Sequence, residues 1–179
     1  MTINPNAVRA TVVAAVALGA TTITAFNVEF TRAFEGTVLE AYLDPVNIPT
    51  ICSGHTKGVR MDMRATKEEC FTMAKEDLAV ARAEAMRCLP SDLTLHPNQW
   101  AIVFDFVFHY GPGGKGVKDG FCVLKSGKSS GLRNAILKQD CRLAANQFQY
   151  WSNAGGKQLR GLVRRNNARQ TEWLKWCVN

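Results

Sequence analysis

Three side chains near the start of the chain have the types and spacing that could break a glycosidic bond. Glu35 and Asp44 are separated by eight residues, and Asp44 and Thr50 by five. Cleavage of a sugar acetal needs one carboxyl group that stays protonated, to hand a proton to the leaving oxygen. It needs a second that is ionised, to help a water or support the developing oxocarbenium charge. Partial burial favours the first state by penalising the charged form. A threonine hydroxyl can orient the water. Acids are common in any chain, so the weight of this reading rests on the elements that carry them.

Asn27 caps a short expected helix running through Glu35, with Phe30 and Phe34 on one face at i and i+4, and Gly36 stops it. Val38 to Asp44 then alternates with strand period, which puts Tyr42 and Asp44 on one face. Pro45-Val46-Asn47 makes a turn, and Pro49 to Cys52 returns as a second strand carrying Thr50. One carboxylate thus lies at a helix end and the other on a hairpin. Thr66-Lys67-Glu68-Glu69 is a capping box that opens a helix to about Cys88, ahead of Leu89-Pro90. Trp100, Val103, Phe104, Val107 and Phe108 recur at helical spacing, with Ile102 and Phe106 on the other side. Such a helix, apolar nearly all round, belongs in the middle of the domain. It stops near Tyr110-Gly111-Pro112. A Gly/Lys/Ser-rich loop follows, and then helices around 130–151 and 159–176, with Trp151, Trp173 and Trp176 read as core. The expected fold class is α+β, a small antiparallel sheet inserted near the start of a mostly helical body.

Composition bounds the function. The chain has 179 residues, 46% hydrophobic and 21% charged, which excludes a disordered or collagen-like polymer. Its net charge of +7 is polarised. Residues 1–114 hold 9 Lys/Arg against 12 Asp/Glu, whereas residues 115–179 hold 13 against 3. The basic half is drawn to a polyanion, an anionic wall or an outer-membrane surface, by attraction that salt weakens. No zinc-finger spacing, RNA-recognition signature or basic zipper accompanies the charge, so nucleic acid is not an expected partner. Six cysteines (52, 70, 88, 122, 141 and 177) form no Cys-x-x-Cys pair, and His55, His96 and His109 complete no zinc pattern. They read as a disulfide framework made in an oxidising compartment, with 15 pairings open to six cysteines. Neither metal nor cofactor is expected.

From Ala10 to Val28 there are 19 residues without a charge. As a helix they span roughly 28 Å, just enough to cross a bilayer core. Eleven of the 19 are Ala, Gly or Thr, so insertion is marginal. Arg9 upstream orients the N-terminus inward and the remainder outward, on the oxidising side. An uncleaved weak anchor, a cleaved signal peptide and an Ala-rich core helix all remain open on composition. The small-x-small sites present are poorly placed for cleavage, which favours the anchor.

Around the three candidate residues, Phe34-Glu35-Gly36, Tyr42-Leu43-Asp44 and Thr50-Ile51-Cys52-Ser53-Gly54-His55-Thr56 closely resemble the phage lysozymes of glycoside hydrolase family 24. That family's signature is Glu-x8-Asp-x5-Thr followed by Gly-His-Thr. The resemblance continues through Thr66 to Cys70 and Phe106 to Gly111, then at Gln147-Phe148, Trp151, Ala154-Gly155-Gly156 and Gly161 to Arg165. It spans roughly residues 29–177. The weak N-terminal segment is similar to that of signal-anchor-release endolysins in the same family.

The resemblance implies a lysozyme-like fold in two lobes, with residues 1–28 as anchor and 29–179 as catalytic domain. It implies a monomeric endo-acting muramidase that cuts the β-1,4 bond between N-acetylmuramic acid and N-acetylglucosamine. Glu35 matches the general acid, Asp44 the second carboxylate and Thr50 the water-positioning hydroxyl, while His55 reads as structural. It implies residence at the host inner membrane through residues 10–28, then release to the periplasm. Family precedent also suggests the pairs Cys52–Cys70, Cys88–Cys122 and Cys141–Cys177.

There are departures from the pattern. Asn47 stands where the family has Gly, and Cys52-Ser53 replace Gly-Tyr. His109 replaces Asn, and Asn166 replaces an Arg. Asn tolerates the left-handed backbone that the turn needs. The segment 10–28 contains no cysteine and position 44 is Asp, which excludes activation by thiol exchange from the anchor. A lytic transglycosylase and a non-enzymatic cationic membrane-disrupting protein are the alternatives. Asp44 and Thr50 argue against the first.

Overall fold

The structure, a computed structural model, describes residues 37–44 and 47–177. The segment 10–28, the expected helix ending at Glu35, and Pro45-Val46 lie outside the described residues. The chain divides into two compact units, residues 1–80 and 81–179. Among the described residues no helix is long and apolar enough to cross a membrane.

In the first unit, β1 (Val38–Leu43) and β2 (Pro49–Cys52) pair antiparallel as the alternation predicts. Tyr42 faces Thr50 and Leu43 faces Pro49, with an irregularity between Val38 and Tyr42. A third chain segment borders β1, where Ala41 N–H donates to Met63 O at 3.0 Å and Ala65 N–H to Leu39 O at 2.8 Å. One face of this layer closes over Ile51, Cys52, Ala65 and Cys70, flanked by Leu39, Ala41, Val59, Met63 and Met73. Helix α1 (Lys67–Arg87) starts where the capping box places it. Thr66 N–H donates to Glu69 Oε2 at 2.7 Å, and Glu69 N–H donates to Thr66 Oγ1 at 3.2 Å.

The second unit is built around α2 (Pro97–Tyr110), whose Ala101, Ile102, Val103, Phe104, Phe106 and Val107 are all buried. Phe106 sits at the centre, its ring 4.6 Å from Tyr110, 5.0 Å from Trp151 and 5.8 Å from Phe148 between centroids. Trp173 is buried in this core as expected, whereas Trp151 packs on Phe106 half-buried and Trp176 is half-buried, stacked on His96. The stretch 130–151 is not one helix. It comprises α3 (Gly131–Leu137), α4 (Cys141–Gln147) and a 3-10 turn at Phe148–Trp151. Gln139 takes a left-handed φ of 54°, and the Asp140 carboxylate accepts from Leu143 N–H at 2.9 Å, so one helix ends and the next is capped within three residues. A two-residue hairpin follows, β3 (Asn153–Ala154) against β4 (Lys157–Gln158). Its turn residues Gly155 and Gly156 both have positive φ, as a type I′ turn requires. Last comes α5 (Arg160–Leu174).

All six cysteines are bonded, as Cys52–Cys70, Cys88–Cys122 and Cys141–Cys177. The bonds anchor β2 to α1 and tie the C-terminal residues back to the start of α4. Each closes a loop of 18 to 36 residues. By chain entropy such loops contribute roughly 3–4 kcal/mol each.

Candidate active site

The hairpin β1–β2 carries two of the three candidate residues and holds them through the backbone of a single residue, Ile48. Asp44 follows directly on β1. Its Oδ1 accepts from Ile48 N–H at 2.8 Å, and its own N–H donates to Ile48 O at 3.0 Å. From the returning strand, Thr50 Oγ1 donates to the same Ile48 O at 2.9 Å. The Asp44 and Thr50 side chains therefore grip the two polar ends of Ile48. Because the Thr50 proton is spent on a carbonyl, its oxygen presents lone pairs and acts as an acceptor toward a water. Thr50 is 3% exposed and Asp44 half-buried. The turn closes through Asn47 N–H to Asp44 O at 2.9 Å, with Asn47 at φ 63°. This is the left-handed conformation that Asn tolerates in place of Gly. Glu35 lies outside the described residues.

The return strand is fixed at two further points. Ile51 and His55 exchange both backbone hydrogen bonds, at 2.9 and 3.0 Å, which folds the Ser53-Gly54 turn back on β2. The His55 ring is held at both nitrogens, Nδ1 at 2.8 Å from Asp77 Oδ2 on α1 and Nε2 at 3.0 Å from Lys57 O. With both nitrogens engaged, His55 serves as a brace from hairpin to helix, in keeping with the structural reading of it. Two residues from Thr50, the Cys52–Cys70 bond ties the same strand to the first turn of α1.

Sequence reasoning missed a buried polar cluster in the second unit. Asp105 and Arg169 are fully buried, with Arg169 Nε and Nη2 at 2.7 and 2.6 Å from Asp105 Oδ2. Arg169 Nη1 donates to Asn166 Oδ1 at 2.7 Å. Asn166 Nδ2 in turn donates to Tyr110 Oη and to Trp151 O, both at 3.0 Å. Tyr110 Oη donates to Trp151 O at 2.6 Å. Burial pushes the Asp105 carboxyl up, but the charges of Arg169, His109 and Arg165 outweigh it and hold the group below the usual carboxylate range. Asn166, at a position where the family's arginine is absent, is thus the hub joining Arg169 to Tyr110 and the end of the 3-10 turn. One signal was available: Asp105 is the only acid in the mostly apolar α2, and Arg165 and Arg169 stand one turn apart on α5. Among the described residues no group of His, Cys, Asp and Glu could hold a metal ion.

Comparison with known proteins gives the family and the fold. The profile of the phage lysozyme family matches residues 32–169. A SAR-endolysin from Enterobacteria phage PA-2 is 29% identical over 165 residues, covering 90% of this chain and 92% of that protein. The endolysin from Escherichia coli O157:H7 phage FAHEc1 shares the fold at TM-score 0.66 and 21% identity, over 86% of this chain and 93% of its own. The active form of the P1 phage endolysin Lyz does so at TM-score 0.70 and 17% identity, over 96% of both chains.

Proposed function

The chain belongs to the phage lysozyme family, and we propose that Glu35, Asp44 and Thr50 divide the work of hydrolysis among them. The protein is a glycoside hydrolase, a phage endolysin that degrades peptidoglycan to lyse the host. On our reading Glu35 donates its proton to the oxygen between N-acetylmuramic acid and N-acetylglucosamine. Ionised Asp44 stabilises positive charge developing at the sugar carbon. Thr50 holds a water by accepting a hydrogen bond from it, and as that water adds to the carbon its surplus proton passes to the Asp44 carboxylate. The observation that supports this reading is that the Asp44 carboxylate and the Thr50 hydroxyl both bond to the backbone of Ile48, one from the end of β1 and one from β2.

Residues 10–28 are the proposed signal anchor, in line with the SAR-endolysin name of the PA-2 relative. Glu35 lies seven residues after Val28. Embedding the segment in the inner membrane would hold the chain around Glu35 at the bilayer, and release into the periplasm would complete the site.

Clearing of purified peptidoglycan by the wild type and by Glu35→Gln tests the assignment, with masses of the products. We expect the variant to lose wall hydrolysis by several orders of magnitude, and the wild type to yield reducing ends formed with uptake of water. Anhydro products would mark a lytic transglycosylase instead. Undiminished lysis of whole cells by a variant that no longer clears purified wall would make charge-driven membrane damage the lytic mechanism.

A further inference from the structure

The loop between α2 and α3, residues 111–130, is a rigid cationic platform with an apolar tip, and we infer that it is a docking surface for an anionic phospholipid bilayer. It carries Lys115, Lys118, Lys125 and Lys128, all exposed, and one acid, Asp119. Asp119 is already committed, its Oδ1 accepting from Lys125 N–H at 2.7 Å. Among the described residues none of the four ammonium groups has a carboxylate within ion-pairing distance.

The loop holds its shape through its backbone. Gly114–Lys118 and Leu124–Lys128 each close a tight turn, and Gly116 N–H donates to Lys125 O at 2.8 Å, setting the two turns side by side. The Lys115 stem lies against Gly127, where an added Cβ would be 3.1 Å from Lys115 Cδ. At its base the loop is pinned by fully buried Phe121, by the Cys88–Cys122 bond, and by Gly113 and Gly120 packed backbone to backbone. A Cβ on Gly113, itself at φ 81°, would sit 1.9 Å from Val123 O. The loop path is already formed, so binding has only the lysine side chains left to order.

Val117 selects the partner. It stands at the tip of the first turn, 74% exposed, with Lys115 and Lys118 on either side. An exposed aliphatic side chain on a turn that also carries two lysines fits a surface with phosphates outside and hydrocarbon within. A glycan would call for an aromatic face, and the loop's one aromatic residue, Phe121, is buried. The inference stands apart from the hydrolytic reading, since it uses none of Glu35, Asp44 or Thr50.

The test is co-sedimentation of the full chain with phosphatidylglycerol-rich and with pure phosphatidylcholine vesicles. The ratio of the two affinities isolates the charge-dependent part from any insertion of residues 10–28. Each lysine near an anionic surface accounts for about a fivefold change in binding. Changing Lys115, Lys118, Lys125 and Lys128 together to Gln should therefore cut the anionic preference by a factor on the order of several hundred. A charge-matched control, with exposed Lys57, Lys138, Lys157 and Arg160 changed to Gln, should cut it far less. Val117→Trp should strengthen binding to anionic vesicles and Val117→Asp weaken it, both at an unchanged thermal midpoint. Equal losses in the two charge variants would overturn the inference in favour of diffuse attraction. So would indifference to the Val117 changes, or loop lysines that matter for sedimentation with purified wall and not with vesicles.

Discussion

Asn47 shows how one residue carries the geometry of the hairpin turn. Its φ of 63° is a conformation that costs most L-residues about 1–2 kcal/mol, and its N–H closes the turn onto Asp44 O. Asn47→Gly should fold as well as the wild type and keep its activity. Asn47→Val should lose about 1–2 kcal/mol in urea denaturation and lower the rate of wall clearing, because the strain falls on the turn that holds Asp44. Equal stability of the two variants would show that the turn does not need the left-handed residue. Asn47, Asp44 and Thr50 were all legible beforehand, since turn chemistry and strand alternation act over a handful of neighbours. The part played by Ile48 was not legible, because its contribution is two backbone groups that no side-chain type advertises.

Among the elements, α2 has the most telling start. His96 caps it: Nδ1 accepts from Asn98 N–H at 3.2 Å, and Gln99 Oε1 accepts from His96 N–H at 3.1 Å. The ring also stacks on Trp176 with centroids 3.8 Å apart. Burial pushes the His96 pKa below its ordinary 6.5. In the window between that lowered value and 6.5 the unfolded chain binds more protons than the folded one, so stability rises with pH through it. Chemical denaturation should accordingly show stability eroding as pH falls below about 6.5. His96→Asn, which retains a cap without the titration, should flatten that limb at a cost of about 1 kcal/mol or less at neutral pH. The apolar periodicity of residues 100–108 announced this helix but not its first turn. His is a rare N-cap, and its role here depends on Trp176, far along the chain. The split of 130–151 went unread for a related reason. Gln139 is not a residue that local rules assign to a left-handed helix end.

At the scale of the whole molecule, α2 and α5 are locked together through Asp105 and Arg169. Removing one partner strands a buried charge, so Asp105→Asn should cost about 3–5 kcal/mol, whereas a double change to Asn and Met should recover much of the loss. The Asp105 carboxyl is held below the usual range, so its stabilisation is complete above about pH 4. It fades as pH falls toward the lowered folded value. The wild type should therefore lose stability in strong acid more steeply than Asp105→Asn, which urea midpoints at neutral and acid pH would compare. Parallel curves would show that this pair contributes nothing to the acid sensitivity.

The antiparallel hairpin with its two candidate residues, the capping box at Thr66, the apolar helix around residues 100–108 and the family itself follow from the sequence alone, because each is written in spacings of three to nine residues. The disulfide pairing followed from family precedent, with spacing leaving 15 pairings open. Only the tertiary structure decided that Asn166 is a hub, that His55 leans on Asp77, and that the 111–130 loop folds into two adjoining turns with Val117 exposed. Those contacts join residues far apart in the chain or depend on the path of a loop backbone. Side-chain type sets what a group can bond to; packing alone sets what comes within reach.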